Sequence, residues 1–318
     1  MPAVKNLITG INGFAGSHLA DRLLAEHEEV FGLARTLAND KNIKHLAGRI
    51  QVYACDIGNA AELKQILDVV RPERIYHLAA VSFVPQAEKN CDAAFQTNLL
   101  GTLHLLDAVR DLRMDARILW VGSAEAYGQG GQEENFIDEG WPLEPVSHYG
   151  VSKAAADLLA QSYAKRERMD VVRVRPFNHI GPRQDSRFVC SSFARQIAAI
   201  ESGALPVIKT GNLDSFRDFT DVRDTVRAYH AVMRAGKPGE VFNVCSGTAV
   251  SVRFILDTLL EISGARVKVE TDPQRFREAK SIRVCGNPQR LRQRTGWRPE
   301  ISLRQTLEAV LGYWRESG

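Results

Sequence analysis

The chain has 318 residues, of which 44% are hydrophobic and 25% charged, and its 41 basic and 38 acidic residues leave a formal net charge of +3. That length is enough for one large domain or two ordinary ones, and a charge so nearly balanced argues against nucleic acid as a partner. No apolar run approaches the roughly 18 residues of a membrane span, and the N-terminus leads directly into a strand pattern, so we expect a cytoplasmic protein without a membrane partner. The five cysteines are far apart and in no metal-ligand spacing, which predicts free thiols and no metal site.

A glycine turn lies near the start of the chain. The apolar run from Ala3 to Thr9 predicts a strand, and leucines at helical spacing predict a helix from Ser17 to Glu26. Glycines between a strand and a helix allow a tight turn and let the helix N-terminus approach a pyrophosphate, which predicts dinucleotide binding. The residues expected at this site are Gly10, Asn12, Gly13, Phe14 and Gly16.

The end of the second predicted strand, Glu29 to Leu33, lacks the carboxylate that would accept a hydrogen bond from an adenosine 2′-hydroxyl. Arg35 stands there instead, and a guanidinium suits a 2′-phosphate, so NADPH is favoured over NADH; a solvated loop arginine is the alternative. After the next strand, Arg49 to Ala54, we expect Asp56 and Ile57 near the adenine.

The run from Arg74 to Ala80 is mostly apolar, as in a strand in the middle of a parallel sheet. Its end is expected to line the pyrophosphate and nicotinamide through Leu78, Ala79 and Ala80, with Ser82 near the substrate. His77 inside this strand is expected to be a core histidine.

Strands and helices continue to alternate as far as Phe177. The further predicted elements are helices at Ala60 to Val70 and Ala93 to Leu112, and strands at Ala116 to Gly122 and Val171 to Phe177. This order predicts an α/β fold with a doubly wound, Rossmann-like parallel sheet. We expect a dinucleotide-binding domain over residues 1–177 and a smaller substrate-binding lobe over residues 178–318, with parts of about 215–248 returning to the first domain. In the lobe, helices are predicted at Phe188 to Glu201 and Asp218 to Ala235.

Tyr149 and Lys153 lie four residues apart at the start of a helical pattern, so their side chains share one helix face. A lysine beside a tyrosine lowers the pKa of the phenol toward the range useful for proton transfer, although an idle surface pair is the alternative. Ser123 and the loop before Tyr149 follow strands at the edge where doubly wound sheets bind ligands, which predicts an active site there.

Several motifs resemble one family. The turn Gly10-x-x-Gly13-x-x-Gly16, Ser123, Tyr149-x-x-x-Lys153 and Pro176-Phe177-Asn178 resemble the sugar-nucleotide branch of the extended short-chain dehydrogenases/reductases, over nearly the whole chain. The segments 175–182 and 211–213 are most similar to its GDP-mannose dehydratases and GDP-4-keto-6-deoxy-mannose reductases. This resemblance implies catalytic roles for Ser123, Tyr149 and Lys153, and it places Phe177 at the cofactor.

The triplet Ser123-Ala124-Glu125 distinguishes reactions within that branch. Its dehydratases typically have an acid or a second serine at the middle position, and its epimerases usually lack the glutamate. Ala124 cannot transfer a proton, so we expect a reductase that uses NADPH, with NADH possible, to convert GDP-4-dehydro-6-deoxy-D-mannose into GDP-D-rhamnose. The alternatives are a GDP-mannose 4,6-dehydratase, another NDP-sugar epimerase or dehydratase, and a non-catalytic NADP-binding regulator. Glu125 is either catalytic or a structural carboxylate.

The resemblance also implies a substrate site for the GDP-linked sugar. The residues expected there are Ser82, Asn178, Arg183, Val189, Asn212, Arg217 and Arg277. Arg217 is the first choice for the diphosphate, whereas residues 277–280 lack the proline and carboxylate of the family pattern, which leaves guanine recognition open. The helices around Asn98 and after Tyr149 are expected to form a homodimer.

Overall fold

The computed structural model describes residues 3–128, 136–273 and 283–317. Within them the strands are β1 (Lys5–Thr9), β2 (Glu29–Ala34), β3 (Gln51–Ala54), β4 (Arg74–His77), β5 (Arg117–Val121), β6 (Val171–Pro176), β7 (Asn178–Ile180), β8 (Val207–Thr210), β9 (Phe216–Asp221), β10 (Val241–Val244), β11 (Ala249–Ser251), β12 (Lys268–Thr271) and β13 (Arg283–Val284). The α-helices are α1 (Phe14–Ala25), α2 (Ala60–Val70), α3 (Val84–Lys89), α4 (Cys91–Phe95), α5 (Gly101–Asp111), α6 (His148–Arg166), α7 (Val189–Glu201), α8 (Val222–Ala235), α9 (Val252–Ser263), α10 (Gln289–Thr295) and α11 (Leu303–Ser317).

The central sheet has seven parallel strands in the order β10-β6-β5-β4-β1-β2-β3. The inner strands β1, β5 and β6 are buried almost throughout, which explains their apolar runs, because helices cover both faces of a parallel sheet. The strand order reverses between β1 and β4, and such a reversal opens a crevice at the carboxyl ends of the strands. The predicted doubly wound sheet is therefore confirmed.

Two hydrophobic layers flank this sheet. On one face, Tyr76, Leu119 and Val174 pack against residues of α1 and α8. On the other face, Ile118 and Trp120 pack against residues of α2, α5 and α6. The sheet is thus sandwiched between helices, with its carboxyl edge left for loops.

Most of the chain after β6 forms a smaller body. β9 pairs with β7, β11 and β13, β8 pairs with β12, and α7, α9 and α11 enclose a separate core. By contrast, β10 joins the central sheet and α8 packs on it. The division into two domains at residue 177 stays a prediction.

One predicted helix begins too early. Asp218 to Ala235 was expected to be helical, but Phe216–Asp221 form β9 and α8 begins at Val222. Asp221 caps α8 by accepting the backbone N–H of Arg223 at 2.7 Å. Asp218 is instead buried in β9, where other segments satisfy its carboxylate, as the backbone N–H groups of Ser246 and Gly247 donate to it at 2.8 and 2.9 Å.

Two other elements differ from prediction near β4. The strand expected to reach Ala80 ends at His77, because Leu78 and Ala79 donate their N–H groups to Thr9 Oγ1 at 3.1 and 3.0 Å. The single helix expected from Ala93 to Leu112 is interrupted by a π-helical turn at Gln96–Leu100, between α4 and α5. Both departures lie next to the ligand edge of the sheet.

No helix in the three described ranges is both long and apolar enough to cross a membrane. The five cysteines are free, as predicted.

Candidate active site

The glycine turn between β1 and α1 has the form that the sequence predicted. Gly10 has a φ of +73°, and a Cβ there would lie 3.0 Å from Ala79 Cα. A Cβ on Gly16 would lie 2.3 Å from the carbonyl oxygen of Gly10, so the turn itself excludes side chains. Gly13 provides no side-chain cap for α1, so amides at the helix N-terminus can bind phosphate. These features fit the pyrophosphate of a dinucleotide.

A cavity of about 240 Å³ lies between the glycine turn and the end of β2. Asn12, Thr36, Asn39 and Lys44 are among the residues that line it. The side-chain amide of Asn12 holds this lining together, because it donates to the carbonyl oxygens of Thr36 and Asn39 at 3.3 and 2.9 Å. Arg35 is exposed at the end of β2. With Lys44 in the cavity lining and Arg35 at its edge of the sheet, this region fits an adenosine 2′-phosphate.

The other predicted cofactor residues follow neighbouring strands at the same edge. Leu78, Ala79 and Ala80 follow β4 and are partly buried beside the glycine turn. Asp56 follows β3 and accepts the N–H of Gly58 at 2.9 Å, and Ile57 is buried. Their contacts with a cofactor stay a prediction.

Ser123 and Tyr149 meet at the carboxyl end of β5. Ser123 Oγ accepts the N–H of Glu125 at 3.1 Å, and Ser123 lies close enough to the Tyr149 phenol to lower its pKa. α6 is capped by Ser147, so that Tyr149 lies in its first turn. Tyr149 and Lys153 are only 8% and 4% exposed, which excludes an idle surface pair.

The predicted effect of Lys153 on Tyr149 is not found. Burial raises the pKa of Tyr149 to about 12. The neighbouring Ser123 lowers this pKa and Glu125 raises it, but both effects are smaller than that of burial. Lys153 Nζ donates to the Val121 carbonyl at 2.8 Å, and burial lowers the pKa of Lys153 to about 8 although Asp157 raises it. Because the ammonium is turned toward β5, the phenol remains a neutral proton donor.

A buried ionic network anchors the helix that carries this pair. Asp157, one turn after Lys153, accepts hydrogen bonds from Arg173 and from Arg175 Nε, the latter at 2.8 Å. Arg175 also donates to the Tyr127 hydroxyl at 2.9 Å. The network joins α6 to β6 and to the turn after Ser123. Sequence reasoning missed it, and its only signal was two arginines in an otherwise apolar strand.

Asn98, in the π-helical turn, is a second residue whose role was missed. Its side chain accepts the N–H of Val81 at 2.8 Å and donates to the Val81 carbonyl at 3.2 Å. It also donates to Ser152 Oγ at 2.9 Å. Asn98 therefore fixes the loop before Ser82 relative to α6, and a buried asparagine inside an apolar helical run was the available signal.

His77 is confirmed as a core histidine. It is buried between Thr9 Oγ1 at 2.8 Å and Thr102 Oγ1 at 3.0 Å. Burial lowers its pKa to about 3, so the ring stays neutral.

The substrate side of the crevice is formed in part by β7 and β9. Arg217 in β9 is partly buried, and this burial lowers the pKa of its guanidinium. Glu125 opposes that shift, so Arg217 lies near the catalytic turn. Asn178 is exposed in β7, beside β9. Ser82 is exposed after β4. Arg217 is thus placed near the catalytic turn, and the substrate roles of Asn178 and Ser82 stay predictions.

Three other predicted substrate residues lie further apart or are not described. Asn212 accepts the N–H of Asp214 at 2.8 Å in the loop before β9. Val189 is the first residue of α7. Arg277 lies outside the described residues.

An aromatic contact at the start of α7 was not predicted. The ring centroids of Phe83 and Phe188 are 5.5 Å apart, and the guanidinium of Arg187 lies 4.9 Å from the Phe83 centroid. This contact joins the loop after β4 to the smaller body, next to Ser82 and Val189. Its residues are distant in sequence, so no local pattern could reveal it.

One predicted substrate residue needs correction, and one predicted cofactor residue is buried. The Arg183 guanidinium donates to Asp21 at 2.7 Å and to the Asn42 carbonyl at 3.2 Å, so it faces α1 rather than a substrate diphosphate. The Phe177 ring is buried in a hydrophobic cluster with Tyr127, and its place at the cofactor stays a prediction. Both side-chain directions depend on tertiary packing that the motifs do not encode.

The doubly wound sheet, the glycine turn and the buried Ser123, Tyr149 and Lys153 at its carboxyl edge define an oxidoreductase of the extended short-chain dehydrogenase/reductase class. More narrowly, the family model for GDP-mannose 4,6 dehydratase matches residues 7–310, and the chain belongs to that family.

Individual relatives are similar over nearly the whole chain. The GDP-6-deoxy-D-mannose reductase of Pseudomonas aeruginosa is 36% identical over 308 residues, which cover 96% of each chain. The GDP-mannose 4,6-dehydratase of Vibrio cholerae is 29% identical over 342 residues, covering 95% of this chain and 91% of the relative. The solved structure of RMD from Pseudomonas aeruginosa, complexed with NADPH, has a TM-score of 0.87 at 33% identity and covers 99% of this chain and 100% of that chain. The family resemblance predicted from the motifs is confirmed.

Proposed function

We propose that the protein reduces the 4-keto group of GDP-4-dehydro-6-deoxy-D-mannose with NADPH, giving GDP-D-rhamnose. The observation that carries this proposal is Ala124, which directly follows Ser123 and packs against the cluster that contains Tyr127 and Phe177. Reduction of a ketone needs one proton donor besides the hydride, whereas elimination of water needs a further acid. The side chain at position 124 cannot serve as that acid.

The relatives support the same choice. The reductase from Pseudomonas aeruginosa is more similar to this chain than the Vibrio cholerae dehydratase, at 36% against 29% identity. NADPH is the cofactor named for the solved RMD structure, in agreement with Lys44 in the lining of the adenosine cavity and with the exposed Arg35 at the end of β2.

NADPH, when bound, supplies the hydride for the carbonyl carbon. The amides at the start of α1 would hold its pyrophosphate, and Arg35 and Lys44 its 2′-phosphate. Tyr149, neutral because burial raises its pKa to about 12, gives its proton to the carbonyl oxygen. Ser123 hydrogen-bonds that oxygen as negative charge develops.

The remaining residues position the substrate. Arg217 provides a partly buried positive charge for the diphosphate. Asn178 and Ser82 supply polar groups for the sugar or phosphate. Lys153, held by Val121, has the place to contact the nicotinamide ribose.

The test is a mixture of protein, NADPH and the keto sugar, followed by absorbance at the nicotinamide band. We expect the Tyr149→Phe variant to lose about 100-fold or more in turnover, as removal of a general acid does, while it still binds NADPH. Tyr163→Phe is the matched control, because Tyr163 lies on the same helix and its hydroxyl bonds Asp107 at 2.6 Å, away from the site. Near-normal turnover in Tyr149→Phe would contradict the assignment.

A GDP-mannose 4,6-dehydratase is the second candidate, because Glu125 is retained and lies close enough to raise the pKa of Tyr149. A dehydratase would consume GDP-mannose without net oxidation of NADPH. Incubation with GDP-mannose, followed by direct measurement of the sugar nucleotides, separates the two reactions: a dehydratase forms the 4-keto-6-deoxy sugar while the nicotinamide absorbance stays constant, whereas a reductase leaves GDP-mannose unchanged.

We further propose that the protein is a cytoplasmic homodimer. Val151 and Leu158 lie on one face of α6 and are 38% and 56% exposed. α5 packs beside α6. Burial of this apolar face between two copies is the simplest way to cover it.

A further inference from the structure

Arg183 has a backbone conformation that needs an explanation. It follows Pro182 in the loop between β7 and α7 and has a φ of +72°. A left-handed backbone is unfavourable for residues other than glycine, so surrounding contacts must hold it. The guanidinium supplies such contacts, because it donates to Asp21 Oδ2 at 2.7 Å, to His18 Nδ1 at 2.6 Å and to the Asn42 carbonyl at 3.2 Å.

His18 takes part as a neutral ring. Burial and the positive charge of Arg183 lower the pKa of His18 to about 4. The Nε2–H group donates to the Pro182 carbonyl at 2.9 Å, which leaves Nδ1 to accept from the guanidinium. His18 therefore fastens both Pro182 and Arg183 to α1.

Asp21 extends this cluster to residues 36–47, the segment that lines the adenosine cavity. One carboxylate oxygen accepts from Arg183, and the other accepts from His45 Nε2 at 2.7 Å. On the side of the glycine turn, the Asn12 amide holds Thr36 and Asn39. Residues 36–47 are thus tethered to the glycine turn by Asn12 and to α1 by the Arg183 cluster.

We propose that Arg183 is a positioning residue for the cofactor site: it holds residues 36–47 in the conformation that forms the adenosine cavity, without touching the cofactor. The inference rests on the proposed function, since it takes the cavity as the site of the adenosine half of NADPH. Arg183 reaches the segment through the Asn42 backbone and through the carboxylate shared with His45. These contacts are not made at the 2′-phosphate, so their loss weakens the binding of NADPH and of NADH by the same factor.

The test compares Arg183→Met and Arg183→Lys with the wild type. We expect the Kd of NADPH and of NADH, titrated by cofactor fluorescence without sugar, to rise about tenfold in Arg183→Met, as loss of charge-assisted hydrogen bonds does. Turnover at saturating NADPH stays close to that of the wild type, because no catalytic contact is removed. Trypsin cleaves faster after Lys41 and Lys44 in the variant, and bound NADPH slows that cleavage.

A double-mutant cycle and a matched control sharpen the test. Asp21→Asn removes the shared carboxylate, and adding it to Arg183→Met should weaken cofactor binding little further, because the two side chains act as one unit. Arg22→Met is the control, because Arg22 lies next to Asp21 on α1 but pairs with Glu26 at the surface. The cofactor affinities of this variant should stay unchanged. Arg183→Lys keeps the comparison possible if the methionine variant does not fold.

Other results would overturn the proposal. A higher KM for the keto sugar with an unchanged cofactor Kd would show that Arg183 is a substrate ligand. A higher Kd for NADPH with an unchanged Kd for NADH would show that it is a ligand of the 2′-phosphate. A lower melting temperature with unchanged affinities and cleavage rates would leave it a purely stabilising contact. A wild type that binds neither cofactor would overturn the proposed function and this inference together. A wild type that binds both but reduces no keto sugar would overturn only the reaction, and the Kd comparison would still decide the role of Arg183.

Discussion

Replacing Asp157 with Asn tests how the catalytic face of α6 is held. The carboxylate is fully buried and accepts from Arg175 Nε at 2.8 Å and from Arg173. An amide in its place leaves two buried guanidiniums without a countercharge. Removing one partner of a buried ion pair costs about 3–5 kcal/mol, so we expect the free energy of unfolding to fall by about that amount.

The same change should act on Lys153. Burial lowers the pKa of Lys153 to about 8, and the Asp157 carboxylate, one turn away, opposes that shift. Without the carboxylate the pKa of Lys153 falls further, so a larger fraction is neutral at the pH of the assay. Turnover in Asp157→Asn should therefore decline already at lower pH than in the wild type.

Urea unfolding followed by circular dichroism measures the first effect, and a rate–pH profile measures the second. Asp111→Asn is the control, because Asp111 is an exposed carboxylate that Lys64 contacts at 3.0 Å, and its unfolding midpoint should not move. If Asp157→Asn unfolded at the same urea concentration as the wild type, the ionic network would not be what anchors α6. An unchanged rate–pH profile would show that the Asp157 carboxylate has no influence on the pKa of Lys153.

Two pH effects follow from other buried groups. Burial lowers the pKa of Lys153 to about 8 and raises that of Tyr149 to about 12, so kcat/KM for reduction should fall as the pH rises through about 8. A kcat/KM that stayed constant up to about pH 10 would contradict a catalytic role for the charged form of Lys153. Burial lowers the pKa of His18 from 6.5 to about 4 and that of His77 to about 3, so the unfolded chain takes up protons first as pH falls below 6.5. The free energy of unfolding should then fall by about 1.4 kcal/mol per pH unit for each histidine until its folded pKa is reached, and urea midpoints between pH 7 and 5 that stayed constant would exclude this.

The central sheet was predictable because its signals are local. Apolar runs mark β1, β5 and β6, and the glycine turn identifies the junction of β1 with α1. The strand β9 was not predictable, because Phe216–Asp221 is as polar as a helix start and its pairing partners β7, β11 and β13 lie far away in sequence. Short strands of this kind are determined by tertiary pairing rather than by their own pattern.

The candidate site was predictable in membership and much less so in electrostatics. Ser123, Tyr149 and Lys153 each follow or begin an element at one edge of the sheet, so their meeting follows from the topology. The direction of the Lys153 ammonium does not, because its acceptor is the Val121 carbonyl on β5. The prediction that Arg183 binds the substrate was wrong for a similar reason. The direction of its guanidinium depends on a left-handed backbone and on contacts with α1, and no local sequence pattern shows either.

The neutral state of Tyr149 bears on the direction of the reaction. An enzyme that first oxidises a sugar hydroxyl needs a base to take the hydroxyl proton, whereas ketone reduction needs an acid to give one. Burial raises the pKa of Tyr149 to about 12 and so keeps the phenol in its acid form, with Ser123 beside it to share the oxygen. Ala124 argues against water elimination because its side chain cannot transfer a proton, and the protonated Tyr149 phenol is in the state that reduction requires. These two observations are independent, since one concerns the residue type in the turn after β5 and the other the burial of α6.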